Sequence, residues 1–182
     1  MIFVGRLNME KGVDILLKAL AAETDLSKRF QLHVVGDGSA RPFLENLSKR
    51  LELQNIVTFH GYVPHGPKWE KLMKSAHALA FVPLHEGAPK VVTEALRFGL
   101  PILASKVGAI PTVLRENTNG WLVEPGDINQ VVDALNRILK IDQNMWQTIS
   151  KANLKLAGSY TIEEVSRDMV QSLIDRNLLP SR

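Results

Sequence analysis

The 182-residue sequence contains no cysteine. The chain therefore has no disulfides and no thiolate chemistry, which favours an intracellular setting. It also lacks an apolar run of the roughly 20 residues that span a bilayer, and its first residues do not have the pattern of a signal peptide. From these absences we predict a cytoplasmic protein.

No single sign of charge dominates the sequence. Lysine and arginine number 22 against 19 aspartates and glutamates, and the basic residues are scattered along the chain. This distribution argues against nucleic-acid binding, although a net charge of +3 suits an acidic ligand or an anionic membrane surface. With 45% apolar and 23% charged residues, the chain has the composition and length of one globular domain.

Motifs for metal binding and for hydrolysis are also lacking. None of the five histidines stands at metal-ligand spacing from a carboxylate or from another histidine, so we interpret His33 and His77 as structural and expect no metal. The sequence contains no Gly-x-Ser-x-Gly elbow and no Walker loop. Serine hydrolases and P-loop NTPases are therefore excluded.

Short apolar runs alternate with amphipathic helical patterns along most of the chain. This alternation predicts an α/β fold: a doubly wound, Rossmann-like parallel sheet of six strands with helices on both faces. Ligands of such sheets bind at the carboxyl ends of the strands. The predicted strands are Ile2–Val4, Gln31–Val35, Ile56–Phe59, Ala78–Val82, Pro101–Ala104 and Gly120–Val123, and the predicted helices are Gly12–Ala22, Ala40–Leu51, Pro67–Ser75, Pro89–Phe98, Ile110–Arg115 and Asn129–Lys140.

After Lys140 the pattern is helical only. One helix is predicted over Asn144–Ala157 and another over Thr161–Asn177, which begins with a capping box. We therefore expect a single domain over residues 1–182, with a βα core at 1–140 and a helical tail at 141–182.

Two glutamates stand eight positions apart, around the predicted start of the fourth crossover helix. Glu86 follows the fourth strand, and Glu94 lies about one turn inside the helix that Pro89 can start. The N–H groups at a helix start attract anions. The pair of carboxylates around such a helix start suits a ligand that carries both hydroxyls and phosphates.

Two cations follow the first strand. After Gly5, Arg6 offers a planar fork for phosphate oxygens and Lys11 a mobile point charge. The alternative is a surface arginine and a lysine that pairs with its neighbour Glu10.

Two further strand ends carry candidate ligand contacts. Gly36-Asp37-Gly38 precedes a helix, but the third glycine position of a dinucleotide fingerprint holds Arg41, so NAD is not expected. The motif still predicts a tight turn, which would let the backbone approach a ligand. We interpret Asp37 as part of that turn. Tyr62 and Val63 could flank a flat base, or they could pack in the core.

Taken in order, these motifs resemble one known family. Gly5-Arg6-Leu7, Glu10-Lys11-Gly12, Gly36-Asp37-Gly38, Gly61-Tyr62-Val63-Pro64, Glu86-x7-Glu94 and Asn119-Gly-Trp-Leu-Val-Glu-Pro-Gly-Asp127 resemble the C-terminal half of the group 1 retaining glycosyltransferases (family four), which have the GT-B fold. The resemblance extends from Ile2 to about Tyr160.

The resemblance implies a function and a set of site residues. In such enzymes the C-terminal domain holds a nucleotide-diphosphate sugar, and the full protein transfers the sugar with retention to a glycan or lipid-linked acceptor. By this resemblance Arg6 and Lys11 grip the diphosphate and stabilise the charge of the leaving group, and Glu86 contacts the donor sugar. No metal and no other cofactor would be needed.

The remaining donor contacts also follow from the resemblance. Glu94 would accept hydrogen bonds from the ribose, and the backbone around Gly38 with Tyr62 and Val63 would flank the base. The set of donor-binding residues is completed by Gly5, Ala88, Lys90 and Val91, of which the last two would present helix-start amides to the phosphates.

The sequence departs from the family pattern at one position. The family often has Phe-Gly where this chain has Ala88-Pro89. Proline removes one N–H from the phosphate cradle although it suits a helix start, and Lys90 would supply a charge instead.

The resemblance covers only one half of a GT-B protein. We therefore expect an upstream α/β domain that binds the acceptor, and inactivity of this half alone. Thr161–Asn177 would then pack toward that domain, or else on its own sheet. Peripheral association with the inner face of a membrane through the full-length protein, and a role in polysaccharide synthesis, are further expectations.

Two other functions remain open at this point. GT-B sheets also build nucleotide-sugar epimerases, and a doubly wound domain with an eroded site could be a regulatory or assembly module.

Overall fold

Six parallel strands form the centre of the molecule in the computed structural model, which describes residues 1–159. Their order in the sheet is β3-β2-β1-β4-β5-β6. The order reverses between β1 and β4, and the loops that follow these two strands form the crevice in which ligands of doubly wound sheets bind. The strands are β1 Ile2–Val4, β2 Leu32–Val35, β3 Val57–Gly61, β4 Leu79–Phe81, β5 Ile102–Ser105 and β6 Gly120–Val123.

Helices cover both faces of this sheet. The helix α1 packs against α2, α3 and α7, and α5 packs against α8. Besides a 3₁₀ helix at Met9–Lys11, the helices are α1 Val13–Ala22, α2 Thr24–Arg29, α3 Arg41–Arg50, α4 Pro67–Ser75, α5 Lys90–Arg97, α6 Ile110–Val113, α7 Ile128–Leu139 and α8 Gln143–Gly158.

The core lies between the sheet and these two helical layers. The central strands β1 and β4 are apolar because both of their faces are covered. Across them Phe3 stacks on Phe81 with ring centroids 5.9 Å apart, and both rings are buried. This contact packs together side chains of the two strands whose carboxyl ends flank the crevice.

The helix α8 closes the other end of the sheet, which we call the amino edge because the strands begin there. Trp146 donates its indole N–H to the carbonyl of His77, just before β4, at 3.0 Å. The amide of Asn153 donates to the carbonyls of Leu100 and Asn119, just before β5 and β6, at 2.7 and 3.1 Å. Asn153 is fully buried, so these hydrogen bonds hold the helix against three strand starts.

The predicted doubly wound α/β fold is confirmed, with differences at the ends of elements. The helix predicted over Ile110–Arg115 ends at Val113, because the chain at Leu114 is extended. The helix predicted to begin at Pro89 begins at Lys90, with Pro89 as the extended residue before it.

Two short elements were not predicted, and one predicted element cannot be compared. The 3₁₀ helix and α2 are three and six residues long, too short for a periodic pattern. The predicted helix Thr161–Asn177 lies outside the described residues. Within residues 1–159, every helix is too short or too polar to cross a membrane.

Candidate functional site

The loop after β1 lies directly against the end of β4. Gly12 separates the 3₁₀ helix from α1 and has a φ of +71°, and a Cβ atom there would collide with the carbonyl oxygen of Val82. Glycine is therefore required by the close approach as well as by the dihedral angle. On the same side, the N–H of Leu84 donates to the carbonyl of Glu10 at 2.8 Å. These contacts bring Lys11 beside the loop after β4.

Lys11 and Glu86 form an ion pair across the two loops. The distance from Lys11 Nζ to Glu86 Oε2 is 2.5 Å, and each side chain is about one fifth exposed. The backbone N–H of Gly87 donates to the other carboxylate oxygen at 3.0 Å. Glu86, and not the neighbouring Glu10, is thus the partner of Lys11 in the structure.

The protonation state of Glu86 follows from these contacts. Burial of the carboxyl group opposes ionisation, but the hydrogen bonds from Lys11 and from the Gly87 N–H, with the charge of Lys11, lower its pKa below the ordinary value. Glu86 is therefore ionised at neutral pH. A lysine and a carboxylate meet at the crevice, where the first can bind an anion and the second can accept hydrogen bonds from hydroxyls.

The helix α5 presents its first turn to the same crevice. The N–H of Val92 donates to the carbonyl of Pro89 at 3.1 Å. Among the described residues, the N–H groups of Lys90 and Val91 have no hydrogen-bond acceptor. Unpaired amides at a helix start bind anions, and Lys90 is exposed beside them.

The loop that leads into α5 is supported by its neighbours on both sides. The contact between Glu10 and Leu84 holds it on the β1 side, and on the β5 side the N–H of Ala109 donates to the carbonyl of Gly87 at 2.7 Å. Ala88 is exposed between these contacts. Ala109 is not among the predicted site residues, because a hydrogen bond between backbone groups does not depend on the residue type and cannot be read from the sequence.

Glu94 projects from α5 toward the loop after β3. Its Oε1 lies 3.1 Å from Nε2 of His65, and its side chain is about one fifth exposed. His65 was not predicted as a site residue, although it directly follows Pro64 in a motif that was singled out. The two residues are 29 positions apart, so only the folded chain reveals the contact.

A depression of about 400 Å³ lies over the carboxyl ends of β1, β2 and β3. Arg6 is exposed at this depression and has no ion-pair partner in the part of the chain that the structure describes. Val63 is buried while Tyr62 is 76% exposed, so the alternative in which Tyr62 packs in the core is wrong. The residues that line the depression are Val4, Gly5, Arg6, Val35, Gly36, Asp37, Tyr62, Val63, His65 and Trp69.

A second depression adjoins the first. It is lined in part by Glu94, Arg97 and Phe98, and it shares His65 and Trp69 with its neighbour. The structure thus brings Lys11 and Glu86 into direct contact, and it places Arg6 and Glu94 in adjoining depressions at the same edge of the sheet. We call this end of the sheet the carboxyl edge.

The turn at Gly38 is built as the sequence suggested. A Cβ atom at Gly38 would collide with the carbonyl of Leu7, so the loops after β1 and β2 touch through their backbones. Asp37 accepts a hydrogen bond from the Gly38 N–H at 2.8 Å and pairs with Arg41 at 2.7 Å. The hydrogen bond from Arg41 and, after it, the one from the Gly38 N–H lower the pKa of Asp37. Because its side chain bonds to the turn itself, Asp37 is a turn residue.

Histidines do not form a metal centre in residues 1–159, where no group of three or more histidine, aspartate or glutamate side chains could hold an ion. His33 and His60 lie on neighbouring strands with their ring nitrogens 3.0 Å apart. Burial lowers the pKa of both rings, so one neutral ring donates to the other at neutral pH.

Comparison with known proteins gives the family of the chain. The family model described as glycosyl transferases group 1 matches residues 1–155. The chain belongs to the glycosyl transferases group 1 family.

Curated relatives match three quarters or more of the chain. An uncharacterised glycosyltransferase of Methanocaldococcus jannaschii is 27% identical over 93% of this chain and 43% of its own length. A lipopolysaccharide 1,6-galactosyltransferase of Salmonella typhimurium is 31% identical over 76% of this chain and 39% of its own length. This group 1 glycosyltransferase chain therefore spans less than half the length of these curated relatives.

A solved structure supports the fold. The HepE protein of Anabaena, crystallised in complex with UDP, superposes with a TM-score of 0.82 at 24% identity, over 96% of this chain and 48% of that one. At this identity the likeness establishes the fold alone. The group 1 assignment agrees with the resemblance that the ordered motifs suggested.

Proposed function

We propose that this chain is the donor-binding, C-terminal domain of a glycosyltransferase, and that its carboxyl edge holds a nucleotide-diphosphate sugar. The full-length protein would transfer the glycosyl group, with retention, to a glycan or lipid-linked acceptor. One observation carries the proposal: the loop that holds Glu86, paired with Lys11, leads directly into α5, whose first two amides have no acceptor within residues 1–159. Cationic, anionic and amide groups at one crevice match the phosphates and hydroxyls of such a donor.

The diphosphate is the part of the donor that needs positive charge. Arg6 and Lys11 would contact its oxygens, and the amides of Lys90 and Val91 would add two N–H donors. When the bond to the sugar breaks, negative charge grows on the diphosphate, and fixed cations stabilise that charge without reorganisation. We propose that no metal is needed for this step, because these groups supply the charge.

Lys11 and Glu86 would contact different parts of the donor, Lys11 the diphosphate and Glu86 the sugar. Lys11 Nζ has three donor hydrogens, so it can contact Glu86 and a phosphate oxygen together. Glu86, which is held by Lys11 and Gly87, would accept hydrogen bonds from hydroxyls of the sugar. Ala88 follows Glu86 by two positions, in an exposed part of the loop that would line the sugar.

The nucleoside would occupy the depression over β1, β2 and β3. Glu94 would accept hydrogen bonds from the ribose hydroxyls, and the backbone at Gly5 and Gly38 would approach the nucleotide closely. Exposed Tyr62 and buried Val63 would flank the base. The HepE structure with UDP supports a nucleoside diphosphate as the ligand class.

The rest of the enzyme would lie outside this chain. The relatives are more than twice as long as their matched regions, which supports an additional acceptor-binding domain. We propose that this half alone binds the donor but turns over little or none of it. The name of the Salmonella relative supports a glycan acceptor and a role in cell-surface polysaccharide synthesis. A cytoplasmic location, with peripheral contact to the membrane, completes the proposal.

Calorimetric titration of the chain with UDP, GDP and ADP tests the donor site. We expect one of the three to bind, and Arg6→Ala and Glu94→Ala each to weaken that binding by about 10- to 100-fold, because each removes hydrogen bonds to or from a charged group.

The matched control is Arg29→Ala, since Arg29 lies on α2 and its pair with Asp25 is a loose 3.7 Å contact on the surface. This variant should bind as the unaltered chain does. If none of the three nucleotides binds, or if binding is indifferent to Arg6 and Glu94, the donor-site assignment is wrong.

A further inference from the structure

We propose that His65 is a positioning residue that holds the Glu94 carboxylate in place for the ribose hydroxyls, an inference that rests on the proposed function. The observation is the 3.1 Å contact between His65 Nε2 and Glu94 Oε1. The contact joins the loop after β3 to the helix after β4, so it bridges the depression proposed for the nucleoside and the adjoining one that Glu94 lines.

Two prolines and a glycine set the backbone conformation of the loop that carries His65. Gly66, the next residue, has φ +148° and ψ −166°, a conformation open to almost no residue but glycine. Proline at positions 64 and 67 fixes two further φ angles on either side. The prolines therefore limit the backbone conformations around His65, whose side chain is 71% exposed.

The imidazole ring also rests on a buried platform. Its centroid lies 4.5 Å from the ring of Trp69, which is only 6% exposed. Trp69 in turn meets Phe98 edge to face, at 5.4 Å and 70°. Aromatic contacts of this kind fix the plane of a ring. The loop backbone and the contact with Trp69 together orient Nε2 of His65 toward Glu94.

The chemistry of the contact leaves Glu94 free for a ligand. An ionised carboxylate only accepts hydrogen bonds, so Nε2 of His65 carries the hydrogen when the ring is neutral. This bond uses one acceptor position on Oε1. No other hydrogen bond to the Glu94 side chain occurs within residues 1–159, so Oε2 can accept from one of two neighbouring hydroxyls and Oε1 from the other.

Holding the carboxylate in advance favours binding. A glutamate on a helix surface has several rotamers, and a ligand that selects one of them loses affinity to the ordering of the side chain. With His65 in contact, that ordering precedes binding. The effect of His65 should then depend on the ribose hydroxyls, since these are the groups that Glu94 would contact.

The experiment compares two ligands and three chains by calorimetry. The ligands are the tightest binder among UDP, GDP and ADP and its 2′,3′-dideoxy form, and the chains are the unaltered protein, His65→Ala and His65→Gln. We expect His65→Ala to weaken the ribonucleotide about three- to tenfold, the range for one hydrogen bond, and to leave the dideoxy form unchanged.

The His65→Gln variant tests whether a hydrogen-bond donor at this position is enough to hold Glu94. The glutamine side-chain amide can donate to Glu94, so His65→Gln should restore ribonucleotide affinity to within about twofold of the unaltered chain. His77→Ala is the matched control, because His77 is an exposed histidine at the amino edge, and it should leave both affinities unchanged.

Three results would overturn the inference. The first is an unchanged ribonucleotide affinity in His65→Ala. The second is an equal loss for both ligands, which would indicate a direct contact of the imidazole with another part of the nucleotide. The third is a His65→Gln protein as weak as His65→Ala.

Failure of the donor-site assignment looks different from failure of this inference. In the first case the unaltered chain binds none of the nucleotides, or Glu94→Ala has no effect. In the second case Glu94→Ala weakens binding and His65→Ala does not.

Discussion

The two edges of the sheet are built from different kinds of contact. At the amino edge, α8 donates neutral hydrogen bonds to backbone carbonyls before β4, β5 and β6, and the principal donor, Asn153, is fully buried. At the carboxyl edge, charged side chains from separate loops face one another and stay partly exposed, as in the pairs Lys11–Glu86 and Lys106–Glu124.

This difference separates stability from binding. Buried hydrogen bonds are costly to break, because the groups left behind have lost both their partner and water. Partly exposed ion pairs contribute little to stability, and their charges remain available to a ligand. Substitutions at the amino edge should therefore change the free energy of unfolding, and substitutions at the carboxyl edge should change nucleotide affinity.

The largest expected effect is at the amino edge. Asn153→Ala leaves the carbonyls of Leu100 and Asn119 without their donor and opens a small cavity, so it should lower the free energy of unfolding by about 2 to 4 kcal/mol. Urea denaturation measures this change. Asn144→Ala, the same replacement at an exposed position of α8, should cost no more than about 0.5 kcal/mol. Equal costs for both variants would contradict the structural role of Asn153.

Lys11→Ala should have the next largest effect, and on binding. Loss of the cation removes a phosphate contact and leaves the Glu86 carboxylate unopposed near the phosphates, so nucleotide affinity should fall about 10- to 100-fold. Titration calorimetry measures the loss. Lys74→Ala, which breaks the exposed pair with Glu70 on α4, should leave affinity unchanged. Normal nucleotide affinity in the Lys11→Ala variant would contradict the assignment of this ion pair to the proposed site.

Trp146→Phe should give a smaller change in stability. The replacement keeps an aromatic ring but removes the N–H that donates to His77, and the half-buried position lets water replace part of the loss. We expect a cost of about 1 kcal/mol, or a Tm lowered by about 2 to 4 °C. Nucleotide affinity should not change. A loss of nucleotide affinity without a change in Tm would contradict the separation of stability at the amino edge from binding at the carboxyl edge.

The smallest effect concerns the pH dependence of Glu86. Because its pKa is lower in the folded chain, the ionised form favours folding; the contribution is complete above about pH 4.5 and is lost as pH falls through the lowered pKa. For such a pair we expect at most about 1 kcal/mol. The difference in unfolding free energy between the unaltered chain and Glu86→Gln should therefore shrink below pH 4.5. A difference that grows toward acid pH would contradict the sign.

Much of the fold could be predicted from periodicity. Strand β6 and helix α4 begin and end where the sequence places them, because turn residues and prolines mark their ends. The short α2 could not be predicted, since six residues show no helical period and tertiary contacts of buried Leu26 hold it in place.

The site residues could be proposed individually but not their contacts. Arg6, Lys11, Glu86 and Glu94 carry the chemistry that a phosphate and hydroxyl ligand requires, and that is visible in their types and order. The partner of Lys11 lies 75 positions away, so local spacing pointed to Glu10 as the alternative, and only the strand order places Glu86 there. His65 was missed for the same reason.

Donor binding at the carboxyl edge is tested most directly by mapping backbone amide chemical shifts in the ¹⁵N-labelled chain as UDP, GDP or ADP is added. We expect shifts for amides at the carboxyl edge, including Gly5, Gly38, Val63 and Val91, and none for His77, Gly120 or Trp146 at the amino edge. Shifts confined to the amino edge, or no shifts with any of the three nucleotides, would contradict the claim that the carboxyl edge binds the donor.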